Sequence, residues 1–269
     1  MTSRGCGGWR CAGAGGEQRI QARDKPALFG CGAGWPGYRS PVIEARIQVR
    51  RAAERFLGGD AGAGISTRHA FSFSGFYDPD NVRFGPLSAC NEELLAPGAG
   101  FAEHPHRDVE IVTWVVEGEL VHEDSTGHVE TVRPGDVQWL SAGDGVRHVE
   151  RNGGAGPLRF VQMWLTPAEA GGPPSYGVAR SVADGAVCAL SRAEAVLHVR
   201  RPGAGERCAL PGARWLYVHV VRGAVRLAEW TLSAGDSARV QDAMDLDAVA
   251  SDEGAEVLLW EMHAEARFP

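Results

Sequence analysis

Two short motifs in this sequence carry side chains that could bind a metal ion. His104 and His106 are separated by one residue, and His148 and Glu150 repeat that spacing further along the chain. On a β-strand, side chains at positions i and i+2 leave the same face. If the two strands are neighbours, three imidazoles and one carboxylate converge on one point. Burying such a group is costly unless it binds a cation, so the pattern predicts a metal site.

The donor types limit which metal fits this site. Three nitrogen ligands and one oxygen ligand suit Fe(II), Mn, Ni, Cu or Zn, and the lack of a nearby cysteine argues against a structural zinc site. Four protein ligands leave two positions of an octahedral ion open, which is typical of a catalytic metal. We therefore expect one divalent transition metal, bound by His104, His106, His148 and Glu150.

The elements that must position these side chains are short strands. From residue 42 onward, short runs alternate apolar with polar residues, as in EIVTWVVEGELVHED and LRFVQMWL, and Gly, Pro, Asp and Asn cluster between the runs. Helical periodicity is weak, and it allows one or two turns near residues 50–57 and near residue 191. The pattern predicts an all-β fold, as a sandwich or a barrel.

The strand pattern occurs twice. Residues 114–142 and 218–243 each contain an apolar strand, a charged residue followed by Gly, a second strand and a Gly-Asp turn. The second copy has no HxH motif and offers only His219, so we expect metal in the first copy alone. The expected boundaries are 42–166 for the first module, 167–185 for a linker rich in Gly and Pro, and 186–269 for the second module.

The start of the chain differs from the rest in composition. Residues 1–41 contain 10 Gly and 3 Pro but few large apolar side chains. Such a segment cannot bury enough apolar surface to offset the entropy lost on ordering. We expect residues 1–41 to be a disordered extension.

Composition excludes several classes of protein. The 269 residues include 34 acidic and 27 basic side chains, a net charge of -7 that argues against a nucleic-acid partner. No apolar run is long enough to span a membrane, and the first residues do not have the pattern of a signal peptide. The 6 cysteines are widely spaced, which favours reduced thiols in a cytoplasm. We expect a cytoplasmic monomer with neither nucleic acid nor membrane as partner.

Other conspicuous side chains have simpler interpretations. His122 and His128 flank a turn-like DSTG, and both are expected to be solvated hairpin residues. Glu110 either supports a ligating histidine or points outward from its strand. Three tryptophans on strands are expected to be core residues: Trp114, Trp139 and Trp164.

The sequence around the histidines resembles the pirin family of bicupins. GAGFAEHPHRDVE at 98–110 is similar to the first cupin motif, and GDGVRHVERN at 143–152 is similar to the second, with Gly143 where many cupins have Pro. The similarity is specific over about 65–166 and weaker in the second module. It implies two tandem jelly-roll-like cupin barrels and iron as the metal. It also implies the ligand set His104, His106, His148 and Glu150.

The resemblance implies two classes of function. Bacterial pirins are associated with quercetin 2,3-dioxygenase activity, which implies a flavonol and dioxygen as partners and Glu150 as the base for the flavonol hydroxyl. Vertebrate pirins are described as nuclear iron-dependent redox cofactors, so the alternative is a non-catalytic redox-sensing protein that binds a protein partner. A cavity of at least ~300 Å³ at the metal would favour the enzyme.

Overall fold

The computed structural model describes residues 45–264. The predicted disordered extension at 1–41 lies outside the described residues. Within the described range, the two helical candidates each reduce to a single 3-10 turn, Ala52–Glu54 and Ser191–Ala193, which is followed by a strand. None of the helices in this range has the length and apolar character needed to cross a bilayer.

Nineteen strands account for most of the described chain. The first eleven in chain order are β1 Arg46–Arg50, β2 Phe56–Asp60, β3 Ile65–His69, β4 Leu87–Leu95, β5 Gly100–His106, β6 Glu110–Glu117, β7 Leu120–Asp124, β8 Val129–Val132, β9 Val137–Ser141, β10 Val146–Asn152 and β11 Leu158–Leu165. The remaining eight are β12 Ser175–Ala179, β13 Gly185–Leu190, β14 Ala195–Arg200, β15 Arg207–Ala209, β16 Ala213–Leu227, β17 Trp230–Ser233, β18 Ser237–Ala243 and β19 Asp247–Met262.

Two antiparallel sheets form the first cupin domain. A seven-stranded sheet has the order β12-β9-β6-β11-β4-β3-β2, and a four-stranded sheet has the order β5-β10-β7-β8. Apolar side chains from both sheets pack between them, including Val115 and Phe160 from the larger sheet and Leu120 and Val132 from the smaller one. Alternation of apolar and polar residues places one face of each strand in this core.

An eight-stranded antiparallel sheet forms the second cupin domain. Its main order is β1-β18-β16-β19-β14-β13, with β15 beside β19 and β17 beside β16. The two longest strands, β16 and β19, shift register at two places along their pairing, which lets the sheet fold around its own core. Leu216, Val218, Val240 and Leu259 are fully buried in that core. The all-β bicupin fold predicted from the sequence is confirmed.

The structure differs from the predicted domain boundaries at two strands. β1 was expected in the first domain, but it pairs with β18 of the second, and its Ile47 and Val49 pack on the second core. The predicted linker contains β12, which pairs with β9 of the first domain. A Cβ on Gly177 of β12 would lie 2.1 Å from the ring of Trp139, so only glycine fits there.

The two domains share one apolar core. Trp114 and Met163 of the first domain lie in the same buried cluster as Tyr217 and Trp260 of the second. Trp260 donates from its indole nitrogen to Met163 Sδ at 3.0 Å. Because this contact surface is apolar and buried, the domains support each other's stability.

Candidate metal centre

The predicted ligands lie on the inner face of the four-stranded sheet. In the antiparallel pair of β5 and β10, His148 stands opposite His104, and His106 stands opposite Val146. The register shifts between His148 and Glu150, so that Glu150 lies opposite Phe101. Cross-strand neighbours on one face approach closely, and this pairing is what brings residues distant in sequence into one cluster.

The three histidines form a compact group. The ring centroids of His104 and His148 are 4.5 Å apart, and the ring of His106 is 4.8 Å from each of the other two. His106 and His148 are buried, while His104 is half-buried. The fold thus brings the two histidines of the HxH motif together with the histidine of the HxE motif.

Hydrogen bonds indicate which ring nitrogen of each histidine carries the proton. Asp124 accepts from His122 Nε2 at 3.2 Å, so His122 Nδ1 can accept from His148 Nδ1 at 3.4 Å. His104 donates from Nδ1 to the backbone oxygen of Ala102 at 2.7 Å. The remaining nitrogens, Nε2 of His148 and Nε2 of His104, face each other at 3.0 Å. Each then carries a lone pair, and two facing lone pairs repel unless a cation binds both.

The protonation of the cluster also suits a metal. Burial, together with the neighbouring imidazoles, lowers the pKa of His106 to about 4. Burial likewise lowers the pKa of His148 to about 4. His106 Nε2 is buried and has no hydrogen-bond partner among the described residues. Neutral imidazoles with unused nitrogen lone pairs are the ligands that a divalent transition metal needs, so the residues present fit such an ion.

Glu150 is held beside the histidines by two side-chain amides. Gln138 Nε2 donates to Glu150 Oε1 at 2.9 Å, and Gln162 Nε2 donates to Oε2 at 2.7 Å. Both amides are oriented by a further donor, since Tyr176 donates to Gln138 Oε1 and Trp164 donates to Gln162 Oε1, each at 3.1 Å. The carboxylate is therefore fixed in position, while further lone pairs remain on its oxygens.

The structure groups the candidate ligands into two overlapping triplets. Ligand atoms of His104, His106 and His148 lie within 4.8 Å of one another, and so do those of His122, His148 and Glu150. His148 belongs to both triplets. Glu150 therefore lies close to His148 and His122, whereas His104 and His106 form the other triplet with His148.

His122 is a site residue that the sequence analysis missed. It was predicted to be a solvated hairpin residue, but it is fully buried, pairs opposite Glu150 across β7 and β10, and stacks on Tyr176 at 4.4 Å. The available signal was its i, i+2 spacing from Leu120, which is buried on the same face of β7. His128 does lie in the β7–β8 turn, and its side chain is 45% exposed.

Two other interpretations need correction. Glu110 neither supports a ligand nor points outward: it is buried, accepts from Ser141 Oγ at 2.8 Å and lies 3.4 Å from Arg192 Nε. Trp164 was expected in the core, but its ring packs edge-on against His106 at 4.9 Å and lines a cavity. The alternation of β11 predicted which face Trp164 occupies but not what that face contacts.

A cavity of about 480 Å³ opens beside the candidate metal centre. Its apolar wall includes Ile65, Phe73, Phe101 and Trp164, and polar side chains reach it from β4 and β11. The volume exceeds the ~300 Å³ that a small organic ligand needs. His104 and Glu150 also line this cavity, so a molecule inside it would lie against the candidate ligands.

Glu93 on β4 contributes a second carboxyl group to the cavity. It is 5% exposed and accepts a hydrogen bond from Thr67 Oγ1 at 2.5 Å. Burial raises the pKa of Glu93 to about 7, although the Thr67 hydrogen bond opposes that shift, and the charge of Glu150 raises the pKa further. Near neutral pH, Glu93 can therefore hold or release a proton inside the cavity.

Comparison with known proteins places this geometry in a family. Residues 48–165 match the family model described as Pirin, and residues 189–262 match the one described as Quercetinase C-terminal cupin domain. A Mycobacterium tuberculosis protein provisionally named as a quercetin 2,3-dioxygenase is 38% identical over 240 residues, which cover 82% of this chain and 97% of that protein. The quercetin 2,3-dioxygenase of Escherichia coli K12 is 33% identical over 231 residues, covering 80% of this chain and 98% of that enzyme.

Comparison with solved structures also finds similarity to a bacterial pirin. The crystal structure of the bacterial pirin YhhW from Escherichia coli in complex with nickel(II) aligns with a TM-score of 0.74 at 29% identity. The alignment covers 81% of this chain and 100% of that one. Both the sequence relatives and the structural neighbour therefore extend over the two cupin domains described above.

Proposed function

Because this chain belongs to the pirin family, we propose that it is a metal-dependent dioxygenase acting on flavonols, of the quercetin 2,3-dioxygenase type. One observation carries the proposal: His104 and Glu150 of the candidate metal centre line a cavity of about 480 Å³ that has an apolar wall. A redox-sensing protein that only docks onto a partner needs no such cavity. The names of the relatives point to the same substrate class.

His104, His106, His148 and Glu150 are the proposed ligands of one divalent metal. When bound, Fe(II), or Mn, Ni, Cu or Zn in its place, would supply Lewis acidity toward a phenolic oxygen and, where redox-active, electrons to dioxygen. His122 and Asp124 keep the His148 proton on Nδ1, which leaves its Nε2 free to coordinate. Gln138 and Gln162 hold the Glu150 carboxylate in place beside His148.

The cavity wall suits a flat aromatic substrate. Phe73, Phe101 and Trp164 can contact the faces and edges of the flavonol rings and exclude water from them. Asn91 and Glu93 lie in the same wall and can accept hydrogen bonds from ring hydroxyl groups. These contacts orient the substrate, while the reaction at its ring belongs to the metal and dioxygen.

Two carboxyl groups can manage the substrate proton. Glu150 is the proposed base for the flavonol hydroxyl, because both its oxygens keep lone pairs beyond those that accept from Gln138 and Gln162. Glu93, whose pKa burial raises to about 7, can exchange that proton with the cavity near neutral pH. In this proposal Glu150 removes the substrate proton, and Glu93 holds it or releases it.

The proposal is tested by metal analysis and oxygen uptake. Protein loaded with Fe(II) should consume dioxygen when quercetin is added, and His148→Ala should lose both the metal and the uptake. His128→Ala, which changes an exposed histidine of the β7–β8 turn, is the matched control and should keep both. Full metal occupancy without flavonol-dependent uptake would reject the enzyme and support the redox-sensing alternative.

A further inference from the structure

A second cavity, of about 500 Å³, lies where β1 meets the loop between β3 and β4. Its wall includes Arg46 and Gln48 of β1, Trp215 of β16, Arg239 of β18, and Phe84 and Gly85 of the loop. None of these residues lines the cavity at the metal centre. The two cavities are therefore separate sites.

Arg239 is a buried cation in this wall. It is 4% exposed, and its guanidinium carbon lies 4.3 Å from the centre of the Phe71 ring. Its Nη2 donates to the neutral Asn81 Oδ1, and its Nε has no partner among the described residues. A buried guanidinium is costly unless an anion pairs with it, and among the described residues the charge of Asp78 acts on Arg239 without forming an ion pair with it.

Both positive and negative side chains lie around this guanidinium. Arg46 and Asp80 line the cavity together with Arg239. Arg50, the last residue of β1, adds a positive charge near Arg239, and Asp78 adds a negative charge. With Arg239 itself included, these arginines exceed the carboxylates by one, so the cavity favours an anionic ligand.

Two aromatic side chains form an apolar part of the wall. The rings of Phe84 and Trp215 meet edge to face with centroids 5.2 Å apart. The indole nitrogen of Trp215 is buried without a hydrogen-bond acceptor in the described structure. Gly85 packs so closely on the indole that a Cβ there would lie 2.9 Å from it, so the loop keeps Trp215 in place. An aromatic ring fits this wall better than an inorganic anion does.

We propose that this cavity binds a small aromatic carboxylate. The carboxylate would accept from Arg239 and Arg46, and the ring would lie against Trp215 and Phe84. A planar guanidinium pairs well with a planar carboxylate, and the ring covers apolar surface that the cavity leaves open. The site draws on residues of β1, β16 and β18 and on the β3–β4 loop, so occupation would tie the two cupin domains together.

Isothermal titration calorimetry on the metal-loaded protein with benzoate tests this proposal. Benzoate should bind at one site per chain, and neutral benzamide should bind at least about tenfold more weakly, because it lacks the charge. Arg46→Gln changes an exposed residue, so the chain should fold normally and should bind benzoate about fivefold more weakly. Arg239→Gln should weaken binding further.

Controls separate this site from others on the molecule. Arg68→Gln removes an exposed arginine on β3 and should leave benzoate binding unchanged. Loss of binding in His148→Ala with full binding in Arg46→Gln would place benzoate at the metal centre and overturn the proposal. Tighter binding of inorganic phosphate than of benzoate would overturn the aromatic assignment. Absence of benzoate binding at millimolar concentration would overturn the site itself.

Discussion

His122 acts at the metal centre through another histidine. Its ring accepts from His148 Nδ1 and donates to Asp124, so it decides which nitrogen of His148 is available for a metal. Burial opposes ionisation of Asp124, but hydrogen bonds from Thr126 and His122 lower its pKa, which keeps it a carboxylate. The proton arrangement of a ligand is thus set two side chains away from the proposed ion.

Replacement of His122 should therefore weaken metal binding without removing a proposed ligand. We expect His122→Ala to lower metal affinity by about 10- to 100-fold, because the ring of His148 loses its orientation and its fixed proton. Titration against a chelator of known affinity measures this change. His128→Ala also removes a partner of Asp124, yet it should leave affinity close to that of the parent. Equal affinities in the two variants would contradict this role.

The stability of the metal-free protein should report on Glu93. Its pKa of about 7 in the folded protein lies above the ordinary glutamate pKa of 4.5, so the folded state binds the proton more tightly. That contribution is complete below about pH 4.5 and is lost as the pH rises through about 7. At about pH 8.5, Glu93→Gln should be more stable than the parent by about 1 to 3 kcal/mol, whereas at about pH 4 the difference should be small.

Urea unfolding of chelator-treated protein at both pH values measures this difference. Glu117→Gln, which changes an exposed carboxylate at the end of β6, is the control and should show no such pH dependence. An equal gain for Glu93→Gln at both pH values would show that the charge of Glu93 does not limit stability.

At the scale of strands, period-two alternation predicted which face of a strand a side chain occupies better than it predicted which strands pair with each other. The sequence assigned His104, His106, His148 and Glu150 to strand faces correctly, since spacing alone determines the face. It placed β1 in the first domain, because alternation in a short strand carries no information on which edge the strand joins. It read β12 as linker, because Gly177 and its neighbours look like loop residues until Trp139 is found beside them.

The position of β1 gives a prediction about truncation. A chain that begins at Val42 should keep the melting temperature and metal content of the full chain, as expected if residues 1–41 are dispensable. A chain that begins at Arg51 lacks β1, exposes the edge of β18 and loses the packing of Ile47 and Val49. It should melt about 10 °C lower. Equal melting of the two truncated chains in differential scanning calorimetry would contradict this role of β1.

At the scale of the molecule, a buried polar group crosses the domain interface. Arg55 donates from Nη2 to His219 Nδ1 at 2.9 Å, and His219 Nε2 lies 3.3 Å from Glu92 Oε1. Burial lowers the pKa of His219, so its ring is neutral and can donate to Glu92. Burial opposes ionisation of Glu92, but the His219 hydrogen bond and the charges of Arg55 and Arg159 lower its pKa to about 2.

His219 should therefore act on stability and not on metal binding. His219→Ala leaves Arg55 and Glu92 buried without their shared partner, and it should lower the free energy of unfolding by about 2 to 4 kcal/mol. His219→Gln can still accept from Arg55 and donate to Glu92, so its loss should be smaller. Elemental analysis should find the same metal content in the folded parent and in both variants. Loss of metal from a stable His219→Gln protein would place His219 in the metal site.

The crossing of β1 into the second barrel also constrains how the chain is made. β1 leaves the ribosome well before its partner β18, although Val49 of β1 pairs with Ala238 of β18 in the folded chain. The second barrel cannot close until β18 has been synthesised, and contacts of such long sequence separation form slowly. Until then, Ile47 and Val49 cannot pack against the core of the second domain. Expression yield should therefore depend on chaperone supply and on translation rate more than the stability of the finished protein would suggest.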